Sequence, residues 1–349
     1  MIDVGLVGFG FAGRTFHAPV IAAVEGLRLA AIVQRIGPEA QVAYPATPVL
    51  RTLEQLLAID SVRLVVIATP NASHFELAKQ CLLAGRDVVI DKPFATTYAE
   101  AAKLVALANE KRRLLSVYQN RRWDGDFLTL QRLLAESKLG RVVLFESHFD
   151  RFRPQLKDNA WRERPEPGSG VLFDLGPHLI DQAMVLFGEP EAISAELRIE
   201  RNGAKVDDAF DVVLHYPRMR TLLRAGMLVS TPTPRFIVHG TLGGYLKYGL
   251  DPQEEALKRG ETPAAEFWGH EAPEHWGTLR LAQGDSFVSE NLPTAPGDYR
   301  QYYQNVRDAM IGEAPLAVTP QQALNVMRAL ELAAESSRRH CAVRWKKES

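Results

Sequence analysis

The chain has 349 residues, which at roughly 100–200 residues per domain indicates two domains. Hydrophobic residues make up 46%, charged residues 24%, and the formal net charge is -1, a balance typical of a globular enzyme. This charge gives no reason to expect a nucleic-acid partner, and no apolar run reaches the roughly 18 residues that a membrane span needs.

The cysteines and the first residues bear on the cellular compartment. Cys81 and Cys341 are too few for a disulfide framework, so we expect two unpaired thiols in a reducing compartment. The chain starts without the basic segment of a signal peptide and enters a strand pattern at once. We therefore expect a cytoplasmic protein.

The first third of the chain alternates short apolar runs with longer amphipathic stretches. The predicted strands are Val4–Val7, Leu27–Val33, Arg63–Ala68, Val88–Ile90 and Leu114–Tyr118. The predicted helices are Ala12–Glu25, Thr52–Ile59, Ser73–Ala84 and Tyr98–Lys111. Strands that are apolar along their length and alternate with helices predict a doubly wound parallel sheet, covered by helices on both faces.

After residue 120 the pattern changes, because strand candidates follow one another without helices between them. These candidates are Ala192–Glu200, Asp208–Tyr216, Thr221–Leu228, Arg235–Gly240 and Tyr245–Tyr248. The predicted helices are Phe127–Ser137, Gly176–Phe187, Tyr299–Ile311 and Pro320–Arg338, and residues 251–298 are predicted to form a long irregular surface segment. We predict an α/β domain over residues 1–119 and an α+β domain with an antiparallel or mixed sheet over residues 120–349.

A glycine motif lies between the first predicted strand and the first predicted helix. Its residues are Gly8, Phe9, Gly10, Phe11, Ala12 and Gly13. Gly8 allows a tight turn, Gly10 lets the backbone approach a phosphate, and Gly13 lets helix and strand pack closely. The helix N-terminus offers N–H groups and a positive dipole end to a pyrophosphate. We interpret the motif as a dinucleotide-binding loop.

The end of the second strand bears on which dinucleotide binds. A site that selects NAD usually has an acid there, bonded to the ribose 2′-hydroxyl. This strand instead ends in Gln34 and Arg35, and the guanidinium of Arg35 suits a 2′-phosphate. The sequence therefore favours NADP, while NAD and a purely solvated Arg35 stay open.

A second loop follows the strand Arg63–Ala68, at the carboxyl end where ligands of open α/β sheets bind. It contributes Thr69, Pro70, Asn71 and His74 as candidate cofactor contacts. The alternative is a helix N-cap supplied by Asn71 or Ser73, and the two interpretations are compatible.

Asp91 and Lys92 follow the strand Val88–Ile90, again at a carboxyl end, and precede Pro93. Pro93 fixes its own φ and holds the turn. An isolated Lys-Pro is usually only a turn, but at this place in a dinucleotide fold we expect Lys92 to be functional, and Asp91 and Lys92 are candidate cofactor contacts.

Asp174 and His178 form a second candidate constellation, four residues apart and therefore on one face of a helix. Pro177 between them is predicted to lie in the first helical turn, where proline is tolerated. An aspartate can orient a histidine, and imidazole is suited to accept a hydroxyl proton near neutral pH. A helix-capping pair is the alternative.

Further polar and aromatic side chains lie in the second half of the chain or at its start. The candidates are Asn120, Trp161 and Arg162 for the cofactor and Arg122 and Arg153 for a hydroxyl-rich substrate. Exposed charge and helix caps are the alternative interpretation. A metal site could be assembled on paper from His148, Asp150, Asp174, His178 and Asp181, but no tight ligand motif is present, and we expect no metal.

The glycine loop, Thr69-Pro70-Asn71-x-x-His74, Asp91-Lys92-Pro93 and Asp174-x-x-x-His178 together resemble the Gfo/Idh/MocA oxidoreductase family over the whole chain. Segments 116–124 and 149–154, with Val238-His239-Gly240 and Lys247-Tyr248-Gly249, resemble its NADP-dependent scyllo-inositol dehydrogenase branch. The resemblance implies a Rossmann domain and a second domain whose large, open, mainly antiparallel sheet often forms a homodimer or homotetramer interface.

The resemblance also implies an activity and residue roles. It implies oxidation of a cyclitol or sugar hydroxyl to a ketone, or the reverse, with His178 as acid/base and Asp174 as substrate anchor and partner of His178. Lys92 takes the place of the lysine in the family's Glu-Lys-Pro motif and would orient the reacting hydroxyl. Asp91 is shorter than the glutamate of that motif, which bears on the placement of Lys92.

Two other functions stay open at this point. One is reduction of another carbonyl compound or a dihydrodiol-type substrate. The other is a non-catalytic NAD(P)-binding sensor, which would need the glycine loop but not Lys92 and His178 together.

Overall fold

The computed structural model describes residues 1–156 and 163–346. By packing, the chain divides into two compact units. The first unit consists of Met1–Trp123, Gln253–Trp268 and Asp298–Met327, and the second of Asp124–Pro252, Gly269–Gly297 and Arg328–Ser349. The sequence predicts a single division after residue 119, whereas two later segments of the chain return to the first unit.

The first unit contains a six-stranded parallel sheet in the order β3-β2-β1-β4-β5-β6. Its strands are β1 (Ile2–Val7), β2 (Leu27–Val33), β3 (Val49–Leu50), β4 (Val62–Ile67), β5 (Asp87–Ile90) and β6 (Leu115–Val117). Every residue of β1 and β5 is buried, which is the pattern of strands covered on both faces. The predicted doubly wound parallel sheet is confirmed.

The helices of the first unit come from three parts of the chain. They are α1 (Ala18–Ala22), α2 (Glu39–Ala43), α3 (Leu53–Leu57), α4 (His74–Leu83), α5 (Tyr98–Lys111), α8 (Gln253–Lys258) and α9 (Arg300–Ile311). Thr52 caps α3 in a reciprocal box with Gln55, and Thr97 caps α5. The predicted helix over 12–25 differs, because Gly13–His17 forms a π-helical turn that leads into the short α1.

The second unit contains a nine-stranded sheet in the order β14-β13-β12-β11-β7-β10-β9-β8-β15. Its strands are β7 (Val142–His148), β8 (Ala192–Arg198), β9 (Ala209–Tyr216), β10 (Met219–Gly226), β11 (Pro234–Gly240), β12 (Gly243–Tyr248), β13 (Gly277–Gln283), β14 (Ser286–Leu292) and β15 (Val343–Arg344). Only β7 and β10 pair in parallel, so the predicted mainly antiparallel sheet is confirmed.

Helices α6 (Gly125–Ala135) and α7 (Gly170–Phe187) belong to the second unit, and α7 packs against β9 and β10. Residues of the last helix, α10 (Pro320–Arg339), are divided between the two units.

The prediction for residues 251–298 is wrong, because this stretch forms α8 and the hairpin β13-β14. Although the stretch is polar in composition, it contains a buried glutamine that binds two tryptophans. Gln253 is fully buried, accepts a hydrogen bond from the Trp268 indole at 2.9 Å and donates one to the Trp123 carbonyl at 3.2 Å.

The predicted start of α7 is also wrong. The helix begins at Gly170, six residues before the predicted start, because Asp207 binds its first turn. The Leu172 amide donates to the Asp207 carboxylate at 2.7 Å, and the Val171 amide donates to the Asp207 carbonyl at 2.9 Å. Pro177 therefore lies inside the helix and not in its first turn.

Candidate functional site

The glycine loop of the first unit has the geometry of an anion cradle. Gly8 has a φ of +100°, and a side chain there would meet the Ala68 carbonyl. A Cβ at Gly13 would meet the Gly8 carbonyl, which explains the close approach of turn and strand. At Gly10, by contrast, a Cβ would meet nothing within 4 Å, and the residue is exposed. The open backbone at Gly10 fits a pyrophosphate.

The other loop residues divide between core and surface. Phe9 is 6% exposed and packs edge-on against Tyr44, with ring centroids 5.9 Å apart. Its side chain belongs to the core, so only its backbone is available to a ligand. Phe11 is 52% exposed, and Ala12 is partly exposed beside it.

Two arginines, Arg35 after β2 and Arg51 after β3, lie at the turn that ends β2. Gln34 is buried and binds the helix that follows, since it accepts the Ala40 amide at 2.8 Å and donates to the Glu39 carboxylate. Arg35 is exposed. Arg51 donates to the Gln34 carbonyl at 2.9 Å and to the Gly37 carbonyl at 3.1 Å.

The sequence analysis missed Arg51. A signal was available, because Arg51 directly follows β3, whose carboxyl end lies beside that of β2. Two guanidinium groups therefore stand where an acid would select a ribose 2′-hydroxyl.

The loop after β4 is tied together by hydroxyl groups. Thr69 Oγ1 lies 2.7 Å from Ser73 Oγ, which donates to the Pro70 carbonyl at 2.7 Å. Asn71 is 5% exposed and starts a short 3-10 turn. Thr69 and Pro70 keep exposed surface at the carboxyl end of the sheet, as the sequence predicts.

The structure corrects the interpretation of His74 as a cofactor contact. The side chain is fully buried, and its ring nitrogens lie 2.9 Å from the carbonyl oxygens of Pro93 and Thr69. Burial lowers the pKa of His74 below its ordinary value. A residue with no exposed surface cannot touch a ligand, so His74 links the loop after β4 to the loop after β5.

The loop after β5 holds Lys92 at the carboxyl end of the sheet. The Lys92 amide donates to Asp91 Oδ1 at 2.8 Å, and the Lys92–Pro93 peptide bond is cis. The side chain of Asp91 is 16% exposed and Lys92 is partly exposed. Burial raises the pKa of Asp91, but the facing imidazole of His17 and the charge of Lys92 outweigh burial and hold that pKa below its ordinary value.

Asn120 and Arg122 lie in a buried 3-10 turn over Asn120–Trp123. Arg122 donates to the Ala317 carbonyl at 2.5 Å and to Gln322 at 3.1 Å, and it is 8% exposed. These bonds fasten a later segment of the chain within the first unit, and the assignment of Arg122 as a substrate contact stays a prediction. Asn120, 9% exposed, stays a candidate for the cofactor.

In the second unit, α7 presents Asp174, His178 and Gln182 on one helical face. His178 is 5% exposed. Asp174 Oδ2 lies 3.7 Å from Arg151 Nη1, and the Arg151 guanidinium lies 5.0 Å from the centre of the Phe149 ring. Sequence reasoning included Arg151 only within the segment 149–154 and missed this contact.

A buried arginine of the sheet binds the same face of α7. Arg235 of β11 donates to Gln182 at 2.6 Å and to Ser147 at 2.5 Å. Its guanidinium lies 5.8 Å from the centre of the Phe149 ring. Phe149 is therefore contacted both by Arg151, which faces Asp174, and by Arg235, which binds Gln182. The ring connects the two arginines that contact this face of α7.

The remaining predicted residues can be placed briefly. Arg153 is exposed, and its amide donates to the Met227 carbonyl at 2.7 Å. Trp161 and Arg162 lie outside the described residues. Among residues 1–156 and 163–346, no three His, Cys, Asp or Glu side chains are grouped so that they could hold a metal ion.

Two family descriptions match this chain. The NAD-binding Rossmann fold of the oxidoreductase family matches residues 2–119, and the C-terminal alpha/beta domain of the same family matches residues 131–343. The chain belongs to the Gfo/Idh/MocA oxidoreductase family. The Rossmann fold and the oxidoreductase class predicted from the sequence are confirmed.

Individual members of the Gfo/Idh/MocA family resemble the chain over nearly its full length. The Escherichia coli K12 oxidoreductase YdgJ is 48% identical over 97% of this chain and 96% of its own length. The Bacillus subtilis scyllo-inositol 2-dehydrogenase (NADP(+)) IolW is 36% identical over 97% and 94%. The structure of the Bacillus subtilis protein YvaA superposes with a TM-score of 0.96 at 35% identity, covering 99% and 98% of the two chains.

This Gfo/Idh/MocA chain is thus an oxidoreductase with an NAD(P)-binding domain. Within the part of the chain that the structure describes, every helix is too short or too polar to cross a membrane.

Proposed function

We propose that this enzyme transfers a hydride between NADP(H) and a secondary alcohol or ketone of a cyclitol or sugar, of the scyllo-inositol type. The observation that carries the proposal is the helix α7, which presents Asp174 and His178 on one face in a chain whose other unit bears an open dinucleotide loop. The similarity to a scyllo-inositol 2-dehydrogenase (NADP(+)) supports the substrate class.

The preference for NADP rests on the end of β2. Arg35 is exposed there, Arg51 lies against the same turn, and no acid directly follows the strand. Glu39 is nearby, but its carboxylate accepts a hydrogen bond from the Gln34 amide. Two cations, with the one nearby acid already hydrogen-bonded to Gln34, favour a 2′-phosphate over a 2′-hydroxyl.

The chain's own residues supply binding and proton transfer. The backbone around Gly10 would hold the pyrophosphate, with Thr69, Asn71 and Asn120 as further contacts. When bound, the nicotinamide supplies the acceptor or donor of the hydride. Lys92 would orient the substrate hydroxyl as a cation, and an imidazole nitrogen of His178 would take the hydroxyl proton as the C–H bond breaks.

In the substrate site, Asp174 would anchor hydroxyl groups and hold the imidazole of His178 in its reactive orientation. Arg151 keeps the Asp174 carboxylate in place, and exposed Arg153 would donate hydrogen bonds to the polyol.

A panel of polyols and sugars tests the proposal, with NADP and NAD compared for each by absorbance of the reduced nicotinamide. We expect turnover with scyllo-inositol, myo-inositol or a related polyol, and a higher kcat/KM with NADP. Turnover only with unrelated carbonyl or dihydrodiol-type substrates would contradict the proposed substrate class. It would favour the alternative function, a reductase of such compounds.

Variants separate an enzyme from a sensor. We expect Lys92→Ala and His178→Ala each to lose about 99% or more of kcat, a typical cost of removing an acid–base or orienting group, while NADPH still binds. Lys103→Ala and His275→Ala remove the same residue types at exposed positions and serve as controls. Near-normal rates in both site variants would contradict the roles proposed for Lys92 and His178, whereas NADPH binding without turnover of any substrate by the wild-type protein would indicate a sensor.

We also propose a homodimer or homotetramer. The edge strand β14 exposes 57% of Phe287 and 52% of Val288, which is unusual for a sheet edge in a monomer. Light scattering on the eluting protein would give the mass directly, and a monomer at micromolar concentration would contradict this part of the proposal.

A further inference from the structure

The Asp91 carboxylate, next to Lys92 in sequence, binds the backbone amide of Lys92. Asp91 Oδ1 accepts the Lys92 amide at 2.8 Å, so the position of this carboxylate determines how the backbone of Lys92 leaves β5. A second group, on another element of the first unit, faces the same carboxylate oxygen.

That group is His17, at the end of the π-helical turn that begins at Gly13. Its side chain is fully buried, and His17 Nε2 lies 3.7 Å from Asp91 Oδ1. His17 Nδ1 lies 2.6 Å from the Tyr303 hydroxyl, and the His17 ring packs on Tyr118 with centroids 4.3 Å apart. The imidazole therefore joins the glycine loop, α9 and the loop after β5.

The protons in this group follow from burial. Burial raises the pKa of Tyr303 well above its ordinary value, so Tyr303 is a neutral phenol at physiological pH. A phenol that donates to His17 Nδ1 leaves the ring proton on Nε2, which faces Asp91. Asp91, whose pKa lies below its ordinary value despite burial, faces this N–H as a carboxylate, with Oδ1 3.7 Å from Nε2.

We propose that His17 is a positioning residue that holds Asp91, and through Asp91 the backbone of Lys92, in register with the glycine loop. The inference rests on the proposed function of Lys92. It extends that function to a residue that touches neither substrate nor cofactor, because His17 has no exposed surface. Gly13 and His17 lie in one turn, so the same turn would set the cofactor phosphates and the catalytic lysine.

Packing alone is the competing explanation, since His17 also fills space beside Tyr118 and Tyr303. The two explanations differ in what a replacement must retain. A space-filling residue needs volume, whereas a positioning residue needs a donor at the place of Nε2.

Two amide variants make that distinction. His17→Gln can place its amide nitrogen where Nε2 lies and so present an N–H to Asp91, as the imidazole does at 3.7 Å. His17→Asn can replace only the contact to Tyr303, because its amide reaches the position of Nδ1. We expect His17→Gln to keep kcat within about threefold of wild type and His17→Asn to lose about tenfold or more, a loss comparable to one charge-assisted hydrogen bond.

The Michaelis constant separates positioning from general damage. We expect KM for NADP to change less than about twofold in both variants, since the cradle at Gly10 is untouched, and we expect the two melting temperatures to agree within a few degrees. Equal kcat in the two variants, or a loss of kcat that follows melting temperature, would overturn the proposal.

A readout without substrate keeps this inference separate from the proposed function. Reductive methylation with formaldehyde and cyanoborohydride, followed by mass spectrometry of tryptic peptides, reports the rate at which Lys92 reacts relative to exposed Lys103. We expect this ratio to change at least about threefold in His17→Asn and to stay at the wild-type value in His17→Gln. Unchanged ratios in both would overturn the role of His17 even if every polyol is turned over. A changed ratio in an enzyme that oxidises none of the polyols would support His17 and contradict the substrate.

Discussion

The guanidinium of Arg151 is directed at the carboxylate of Asp174, with Arg151 Nη1 3.7 Å from Asp174 Oδ2. The backbone of Arg151 is fixed at the same time, since its amide donates to the Gly226 carbonyl at 2.9 Å and its carbonyl accepts the Val229 amide at 3.0 Å. Both charged side chains are less than a fifth exposed, at 19% and 17%. The pair thus places a cation of fixed position beside the helix α7.

We expect Arg151→Gln to lower kcat/KM for the polyol about tenfold, because Asp174 loses the cation that orients it, and a partly buried charged contact contributes on the order of 1 kcal/mol. NADPH binding should not change. Steady-state kinetics with Arg220→Gln, an exposed arginine of β10, provide the control. An unaltered kcat/KM would show that Asp174 is held without Arg151.

Replacing Gly10 or Gly13 of the glycine loop by alanine adds the same methyl group, but we expect different effects on stability and on cofactor binding. Gly10→Ala adds a Cβ in open space, so the melting temperature should stay within about 2 °C. NADPH binding should weaken at least about tenfold, because the methyl group would stand where we propose that the pyrophosphate binds. Gly13→Ala drives its Cβ into the Gly8 carbonyl, and we expect a loss of stability of about 1–3 kcal/mol together with weaker binding.

Fluorescence titration with NADPH and thermal denaturation measure both effects in the glycine variants. Tight NADPH binding by Gly10→Ala would contradict the placement of the pyrophosphate.

Arg35→Ala tests the cofactor preference. Loss of a guanidinium that binds a 2′-phosphate should raise KM for NADP about tenfold or more and leave KM for NAD nearly constant, since NAD has no group for it to bind. Arg63→Ala removes an equal charge at the start of β4, at the opposite end of the parallel sheet. If KM rises equally for both cofactors in Arg35→Ala, the residue attracts both dinucleotides by its charge and does not select the 2′-phosphate.

Asp207 makes stability depend on pH. Burial raises the pKa of Asp207 to about 6, above its value in the unfolded chain, although amides of the α7 N-terminus act in the other direction. The folded state therefore binds the extra proton, and stability falls as pH rises from about 4 through 6, by a few kcal/mol at most. Asp207→Asn keeps an acceptor for the Leu172 amide and removes this cost.

We expect Asp207→Asn to be more stable than wild type at pH 7.5 and to lose that advantage near pH 4.5. Urea denaturation at the two pH values measures the difference. A variant that is less stable at pH 7.5 would mean that the charged carboxylate stabilises the helix end more than burial disfavours it.

Much of the first unit could be predicted from sequence because its signals are local. A run of mostly buried residues such as Val62–Ile67 gives a strand, and Gly8, which follows β1, gives a turn at a φ of +100° that favours glycine. The position of Lys92 follows equally directly, since parallel strands end at a common edge.

The remaining features depend on distant contacts. His17 meets a hydroxyl 286 positions away, and α7 starts early because Asp207, distant in sequence, binds its first amides. Arg122 looks like a surface cation until Ala317 and Gln322 are placed against it. No local pattern reports partners that only folding brings together.

The return of Gln253–Trp268 and Asp298–Met327 to the first unit has a consequence for synthesis on the ribosome. The sheet β1–β6 is synthesised first. Ser116, in its edge strand β6, forms hydrogen bonds of 2.9 Å with Tyr302 and Val318, which are synthesised much later. The nascent dinucleotide-binding half must therefore stay incomplete until almost the whole polypeptide has left the exit tunnel. A protein cut after residue 119 would lack these partners, so the domain boundary that the sequence predicts there is not a place where the enzyme can be divided.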